Sequence, residues 1–251
     1  MNFLFEAVVG FINDLRKSPA KCVSIGNNGD YVILLHALAR SNRSMKKIEQ
    51  DLNDEGYNVI NLNYPSTKHS VEYLSEKYLA KTIKKFCIDK KKKIHFVTYS
   101  LGGIILRHYL QNHHKLNIDK IVMIAPPNKG SEVVDFMKSN IFFRKFFHWF
   151  FGPAGQQLGS KKSSYVNSAL GNTINHEIGV IAGDTCINPF IPFLISGPND
   201  GRISVKNTKI KNMKDHIVIH SPHCFITTNN ECIKQVSYFL SYGIFYHGDY
   251  E

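Results

Sequence analysis

Short runs of contiguous apolar residues alternate along this chain with longer stretches in which apolar positions recur every three or four residues. Tyr31-Val32-Ile33-Leu34-Leu35-His36 is a run of strand length, and Ser41 to Glu55 follows with helical spacing through Met45, Ile48 and Leu52. Gly56 stops that helix, and Val59-Ile60-Asn61-Leu62 predicts a second strand. A longer helix is expected from about Ser70 to Cys87, with Val71, Leu74, Leu79 and Ile83 turned inward. Lys93-Ile94-His95-Phe96-Val97-Thr98 reads as a buried strand, and Leu101, Ile104, Ile105, His108, Tyr109 and Leu110 then repeat at helical spacing. Ile121-Val122-Met123-Ile124-Ala125 predicts another strand, stopped by Pro126-Pro127. Strand character returns at Ile178 to Ala182 and Ile217 to Ile219, and a helix pattern closes the chain from Cys232 to Tyr242. Strands alternating with helices predict an α/β protein, its mostly parallel sheet covered by helices on both faces.

Two stretches depart from that rhythm. At the N-terminus Leu4, Val8, Phe11 and Leu15 share one helical face, which predicts an amphipathic helix over about 2–17 that packs on the domain or lies on a membrane surface. This segment carries Glu6 and lacks the basic start and small-residue cleavage site of a secretion signal. The second is about 128–175, between two predicted strands, where Ile141 to Phe151 holds six phenylalanines and Trp149, followed by Gly152-Pro153-Ala154-Gly155. An aromatic insertion at this place in the chain is expected to form a substrate cap whose apolar face borders a pocket.

The 251 residues have no Pro/Gly/Ser-rich linker, so one domain over 1–251 is expected. With 43% apolar and 20% charged residues the chain is composed like an ordinary globular protein, and no apolar stretch approaches the ~20 residues of a membrane span. Cys22, Cys87, Cys186, Cys224 and Cys232 are odd in number and lack metal-type spacing, which favours reduced thiols in a cytoplasmic protein. The net charge of +11, with Lys90-Lys91-Lys92-Lys93 as a local contributor, allows peripheral contact with an anionic membrane surface. No zinc-finger, helix-turn-helix or aromatic RNA-binding pattern accompanies it, so no nucleic-acid partner is expected.

The candidate chemistry begins at Val97-Thr98-Tyr99-Ser100-Leu101-Gly102-Gly103, which puts a serine at the bend between strand and helix. Such a turn exposes the hydroxyl and aims the N–H of the next residue, Leu101, at the place where a carbonyl oxygen would become negative. Small residues near the serine let the helix lie close to the strand; Gly102 and Gly103 meet that need, while Thr98 stands where G-x-S-x-G has its first glycine.

A serine hydroxyl needs a base to take its proton and an acid to orient that base, here sought in the chain order Ser, Asp/Glu, His. His216 precedes the last strand and lies at its wrong end; His220 ends the strand and remains committed to the sheet. His223 lies in the loop beyond, freed by Pro222, and is favoured as the base. For the acid, Asp184 follows a strand directly, whereas Asp200 sits in the turn Gly197-Pro198-Asn199-Asp200-Gly201. Position alone leaves both open.

Several segments, taken in order, resemble the lipase and esterase branch of the α/β-hydrolase superfamily. Leu34-Leu35-His36-Ala37-Leu38 is similar to its strand-end H-G-x motif, and Pro126-Pro127-Asn128-Lys129-Gly130-Ser131 to the P-x-x-G-S after its sixth strand. Asn199-Asp200-Gly201-Arg202-Ile203-Ser204-Val205 resembles the segment that carries the family's triad acid. The resemblance runs from about Tyr31 to Tyr242 and implies an α/β-hydrolase fold with a cap insertion after the sixth strand. It further implies Ser100 as nucleophile, His223 as base, Asp200 as acid, and an oxyanion hole from the N–H groups of Leu38 and Leu101. Ala37 replaces a family glycine. The implied activity is hydrolysis of a small-molecule or lipid carboxylic ester through an acyl-enzyme, without metal or organic cofactor. An acyltransferase or thioesterase on the same triad, and a catalytically silent interaction module, are the competing readings.

Overall fold

The computed structural model describes residues 29–248 except 115, 172–175, 188 and 190; the N-terminal helix expected over 2–17 lies outside them. Six strands form one sheet: β1 (Tyr31–Leu35), β2 (Asn58–Leu62), β3 (Ile94–Tyr99), β4 (Ile118–Ile124), β5 (Glu177–Gly183) and β6 (Asp215–Ile219). Their spatial order is β2-β1-β3-β4-β5-β6, and every neighbouring pair is parallel.

Side chains alternate across the sheet, which divides the apolar interior in two. Ile33, Leu35, Ile60, Phe96, Ile121, Met123 and Val180 face one core. Val32, Leu34, Val59, Val97, Tyr99, Val122, Ile124 and Ile181 face the other. The second core is closed by α1 (Lys46–Asp54) through Ile48 and Leu52 and, as the chain's last helix, by Asn230–Tyr242 through Val236, Phe239 and Leu240. On the first face lie α2 (Val71–Leu74), a π-helical turn at Ser75–Leu79, α3 (Ala80–Phe86) and α4 (Leu101–Asn112). The helix expected over 70–87 is therefore continuous but carries one wide turn, and the one expected over 41–55 opens with a 3-10 turn, Asn42–Met45.

The insertion follows β4, the fourth of the described strands. It folds as α5 (Glu132–Ser139), α6 (Ile141–Gln156) and α7 (Tyr165–Ser168). Asn140 caps α6, its side chain accepting the N–H groups of Phe142 and Phe143. α6 breaks at Gly152 (φ 58°), where a Cβ would sit 1.6 Å from the Thr67 carbonyl oxygen, so only glycine fits. Two helices complete the order, the short α8 (Val205–Thr208) before β6 and the long α9 (Asn230–Tyr242) after it.

The register aligns the carboxyl ends of the strands: Leu35 pairs with Thr98, Tyr99 with Ile124, Ile124 with Ile181 and Gly183 with Ile219. From β1 the chain runs first to β2 on one side and then to β3 on the other. A crevice at this switch point, outside the carboxyl ends, is where open α/β sheets place their ligands.

Candidate active site

Ser100 joins β3 to α4 in a conformation that L-residues rarely adopt, φ 52° and ψ −114°. Such backbone costs on the order of 1–3 kcal/mol and persists only where its surroundings over-determine it. Here the Ser100 N–H donates to the Ile124 carbonyl (2.9 Å), and its own carbonyl accepts from the Gly103 N–H (3.0 Å). A Cβ at Gly102 would lie 2.5 Å from the Leu35 carbonyl oxygen, so glycine is needed for α4 to descend onto β1. Thr98 at the motif's altered position is compensated one residue past the motif's second glycine: a Cβ on Gly103 would lie 3.3 Å from both Thr98 Oγ1 and Pro126 Cβ. Thr98 is fully buried, and its Oγ1 has no hydrogen-bond partner.

The loop after β1 turns back beneath this elbow. The His36 ring is buried and donates from Nδ1 to the Ala37 carbonyl (2.8 Å), while Nε2 accepts the Tyr64 N–H (3.2 Å). Burial lowers its pKa to about 4, so it is neutral and structural. The turn's left-handed residue is Ala39 (φ 54°), whose N–H donates to Ser66 Oγ. Ala37 is not among the positive-φ residues, so alanine meets no strain where the family has glycine. Leu38 lies between them and faces Ser100 across a cavity.

At the far side of the sheet the loops after β5 and β6 bring Asp200 and His223 together. His223 Nδ1 lies 2.6 Å from Asp200 Oδ2, with the two side chains 4% and 0% exposed. The other carboxylate oxygen, Oδ1, accepts the N–H groups of Ile203 (2.8 Å) and Arg202 (3.0 Å), an arrangement that Gly201 (φ 89°) permits. The backbone of His223 is fixed as well: its N–H donates to the Asp200 carbonyl and its carbonyl accepts the Tyr99 hydroxyl (2.7 Å). Because the acid accepts at Nδ1, the proton belongs on Nδ1 and Nε2 is left with its lone pair.

The two rejected candidates meet each other instead. His220 Nδ1 lies 3.1 Å from Asp184 Oδ1, and the histidine side chain is 86% exposed. His220 therefore points to solvent, which corrects the expectation that it stays committed to the sheet. His216 contacts Thr208 Oγ1 and is lowered to about pKa 4, chiefly by burial.

A cavity of about 50 Å³ joins Ser100, His223, Ala37 and Leu38 and is walled by Val133, Val134, Phe147, Phe151 and Leu158. Two lining residues, Arg202 and Ser131, stand inside the motifs quoted from the sequence but had no role assigned there; Ser131 Oγ donates to the Arg202 carbonyl (2.8 Å) and ties α5 to the Asp200 loop. Tyr99 was missed too, although its place beside Ser100 on the opposite strand face was the available signal. Among the described residues no three His, Cys, Asp or Glu side chains converge as metal ligands do.

The parallel sheet, the strained serine elbow and the helical insertion define an α/β-hydrolase. Similar solved structures include the Bacillus licheniformis lipase BlEst2 in mature form, with a TM-score of 0.65 and 18% identity over 90% of this chain and 96% of that one. The metagenomic carboxyl esterase MGS0156 aligns with a TM-score of 0.60 and 15% identity over 84% of this chain and 69% of that one. Phospholipase PlaB from Legionella pneumophila aligns at 0.57 and 16% over 71% of this chain and 45% of its own. At these identities the likeness is one of fold. The sequence profile of the palmitoyl protein thioesterase family matches residues 31–172, more than half of the chain, and the chain belongs to that family. It is a hydrolase acting on ester bonds. The matched segment holds Leu38, Ser100 and Leu101, and ends before Asp200 and His223. None of the curated proteins matches the chain in sequence.

Proposed function

We propose that the protein is a serine hydrolase of carboxylic esters that works through an acyl-enzyme. The observation that carries this reading is the buried Asp200–His223 pair at the rim of the cavity that Ser100 lines. Ser100 attacks the carbonyl while His223 Nε2 takes its proton; Asp200 holds the ring's tautomer and stabilises the imidazolium. The N–H groups of Leu38 and Leu101 receive the oxyanion. His223 then protonates the leaving group, and the same nitrogen activates the water that releases the acid.

Family membership favours a second reading at the same site, in which the bond cleaved is an acyl thioester. The chemistry is unchanged except for the leaving group, a thiol in place of an alcohol. A cavity of about 50 Å³ suits short to medium acyl chains, and a longer chain requires α6 to shift. Four of the five cysteines are described, and no disulfide joins them, which suits a cytoplasmic setting. No described helix is long and apolar enough to cross a membrane.

The test is steady-state hydrolysis of p-nitrophenyl esters of increasing acyl length beside acyl thioesters of matched length. Activity of the wild type that falls by more than about a thousandfold in Ser100→Ala and His223→Ala supports the reading. A folded wild type without activity on either series, or an active Ser100→Ala, overturns it in favour of a silent hydrolase fold. A thioester kcat/KM well above that of the matched ester selects the second reading.

A further inference from the structure

On the other side of the α5 N-terminus from the catalytic cavity lies an open groove of about 850 Å³. Ser131 lines the cavity and Glu132, the next residue, lines the groove. Four lysines border it: Lys129, Lys162, Lys209 and Lys211. All four are exposed, and none of them makes an ion pair or hydrogen bond through its ammonium among the described residues.

The nearby carboxylates are held by neutral donors, and Glu132 Oε2 is buried without a hydrogen-bond partner. Glu132 Oε1 accepts from Asn207 Nδ2 (2.8 Å) and Ser204 Oγ (3.4 Å). Asp135 Oδ2 accepts from the Ser160 N–H (2.7 Å) and hydroxyl (2.6 Å). Four cations thus face one concavity against a single lining carboxylate, Glu132, with which none of them pairs, and the excess of positive charge focuses a positive potential into it.

The groove is also rigidly built. Three chain segments meet there and are stapled to one another. The Lys129 N–H donates to the Asn207 carbonyl (2.9 Å), and Asn128 Nδ2 to the Thr208 carbonyl (2.8 Å). Asn167 Nδ2 reaches the carbonyls of Lys129 (3.2 Å) and Ser160 (3.0 Å). A Cβ on Gly130 (φ 84°) would lie 2.0 Å from the Gly159 carbonyl oxygen, so the two loops touch backbone to backbone. A preformed concavity of this volume is the size of a small-molecule site, and ammonium groups spaced around it match an anion with several charges.

We propose that this groove binds a multiply phosphorylated small molecule. Its phosphates sit among Lys129, Lys162, Lys209 and Lys211, beside the catalytic cavity but apart from its chemistry. The phosphates belong to a soluble nucleotide-like compound or to a phosphorylated lipid headgroup; the recognising chemistry is the same for both.

The experiment is calorimetric titration of the full chain at about 0.1 M salt with inorganic tripolyphosphate, adenosine triphosphate, and vesicles containing phosphatidylinositol bisphosphate. Two variants are compared: Lys129→Gln/Lys209→Gln/Lys211→Gln, and a control, Lys90→Gln/Lys91→Gln/Lys92→Gln, with the same loss of charge elsewhere. Saturable binding with Kd below about 0.1 mM, weakened at least about tenfold in the groove variant and unchanged in the control, supports the proposal. Nucleotide binding tighter than tripolyphosphate identifies a soluble ligand, and binding to vesicles alone identifies a headgroup. Equal loss in both variants, or no saturation below about 10 mM, overturns it. Duplex DNA that displaces tripolyphosphate at lower concentration also overturns it, because the ligand is then a polymer. Ser100→Ala is titrated in parallel and is expected to bind like the wild type, which separates this outcome from the hydrolytic reading.

Discussion

Replacing Asp200 by asparagine keeps the side chain's shape and removes its charge at the most buried point of the site. The amide oxygen can still accept the Arg202 and Ile203 N–H groups, and the His223 backbone stays tied to the Asp200 carbonyl and the Tyr99 hydroxyl. Histidine placement is therefore retained. What changes is the 2.6 Å contact between position 200 and His223 Nδ1, where the amide presents N–H in place of an acceptor. The ring must then carry its proton on Nε2, facing Ser100, and cannot take another. A fall in kcat of about 10³–10⁴-fold is expected, or roughly 4–5.5 kcal/mol of transition-state stabilisation. Loss of one buried charge-assisted bond costs about 1.5–3 kcal/mol of stability, so the variant remains folded. The assay is p-nitrophenyl butyrate hydrolysis, with thermal unfolding to confirm the fold. Asp184→Asn is the comparison: its partner His220 is 86% exposed, and a change within about twofold is expected. Retention of more than a tenth of wild-type activity in Asp200→Asn, or a larger loss in Asp184→Asn, would refute the assignment of the acid.

Three further outcomes follow from single features. Thr98→Val removes a buried hydroxyl that has no partner, and is expected to raise the unfolding free energy by about 1 kcal/mol in urea titration; a fall would show that the hydroxyl holds the elbow. His36 has a folded pKa of about 4 against an ordinary 6.5, so the unfolded chain binds the extra proton as pH drops through that window. Stability is then present above pH 6.5 and falls by about 2 kcal/mol by pH 5, a loss that His36→Asn flattens in urea titrations at the two pH values even though the variant starts less stable. Ile141, Phe142 and Trp149 are exposed on α6 beside Arg144 and Lys145, so flotation with anionic vesicles is expected, falling about tenfold or more in Ile141→Ser/Phe142→Ser/Trp149→Ser; equal flotation of the variant would place membrane contact elsewhere.

The inner strands were legible because they are short apolar runs buried on both faces, as Tyr31–Leu35 and Ile94–Tyr99 are throughout, whereas the edge strand β6 is half-exposed along most of its length. Strand ends and loop residues pointed to Ser100 and His223 at one edge of the sheet, but position left Asp184 open beside Asp200, and only the resemblance to lipases and esterases chose the carboxylate that meets His223. What the chain did not declare depends on three-dimensional partners. The run from Ile141 to Phe151 is apolar almost all round, so its sequence does not say that Phe147, Phe150 and Phe151 turn inward while Ile141, Phe142 and Trp149 face out. The left-handed turn falls on Ala39 rather than on Ala37, because Ser66, 27 residues away, supplies the acceptor for its N–H. The Thr98 side chain is tolerated because Gly103 leaves room beside it, a compensation between strand and helix that a linear motif does not express.

The central claim is that Ser100 is a nucleophile, and covalent labelling tests it most directly. The wild-type protein is incubated with a fluorophosphonate, and the modified peptide is located by mass spectrometry. One adduct at Ser100 is predicted, absent from Ser100→Ala and formed much more slowly in Asp200→Asn. A folded wild type that takes up no label, or takes it up at another serine, would contradict the account.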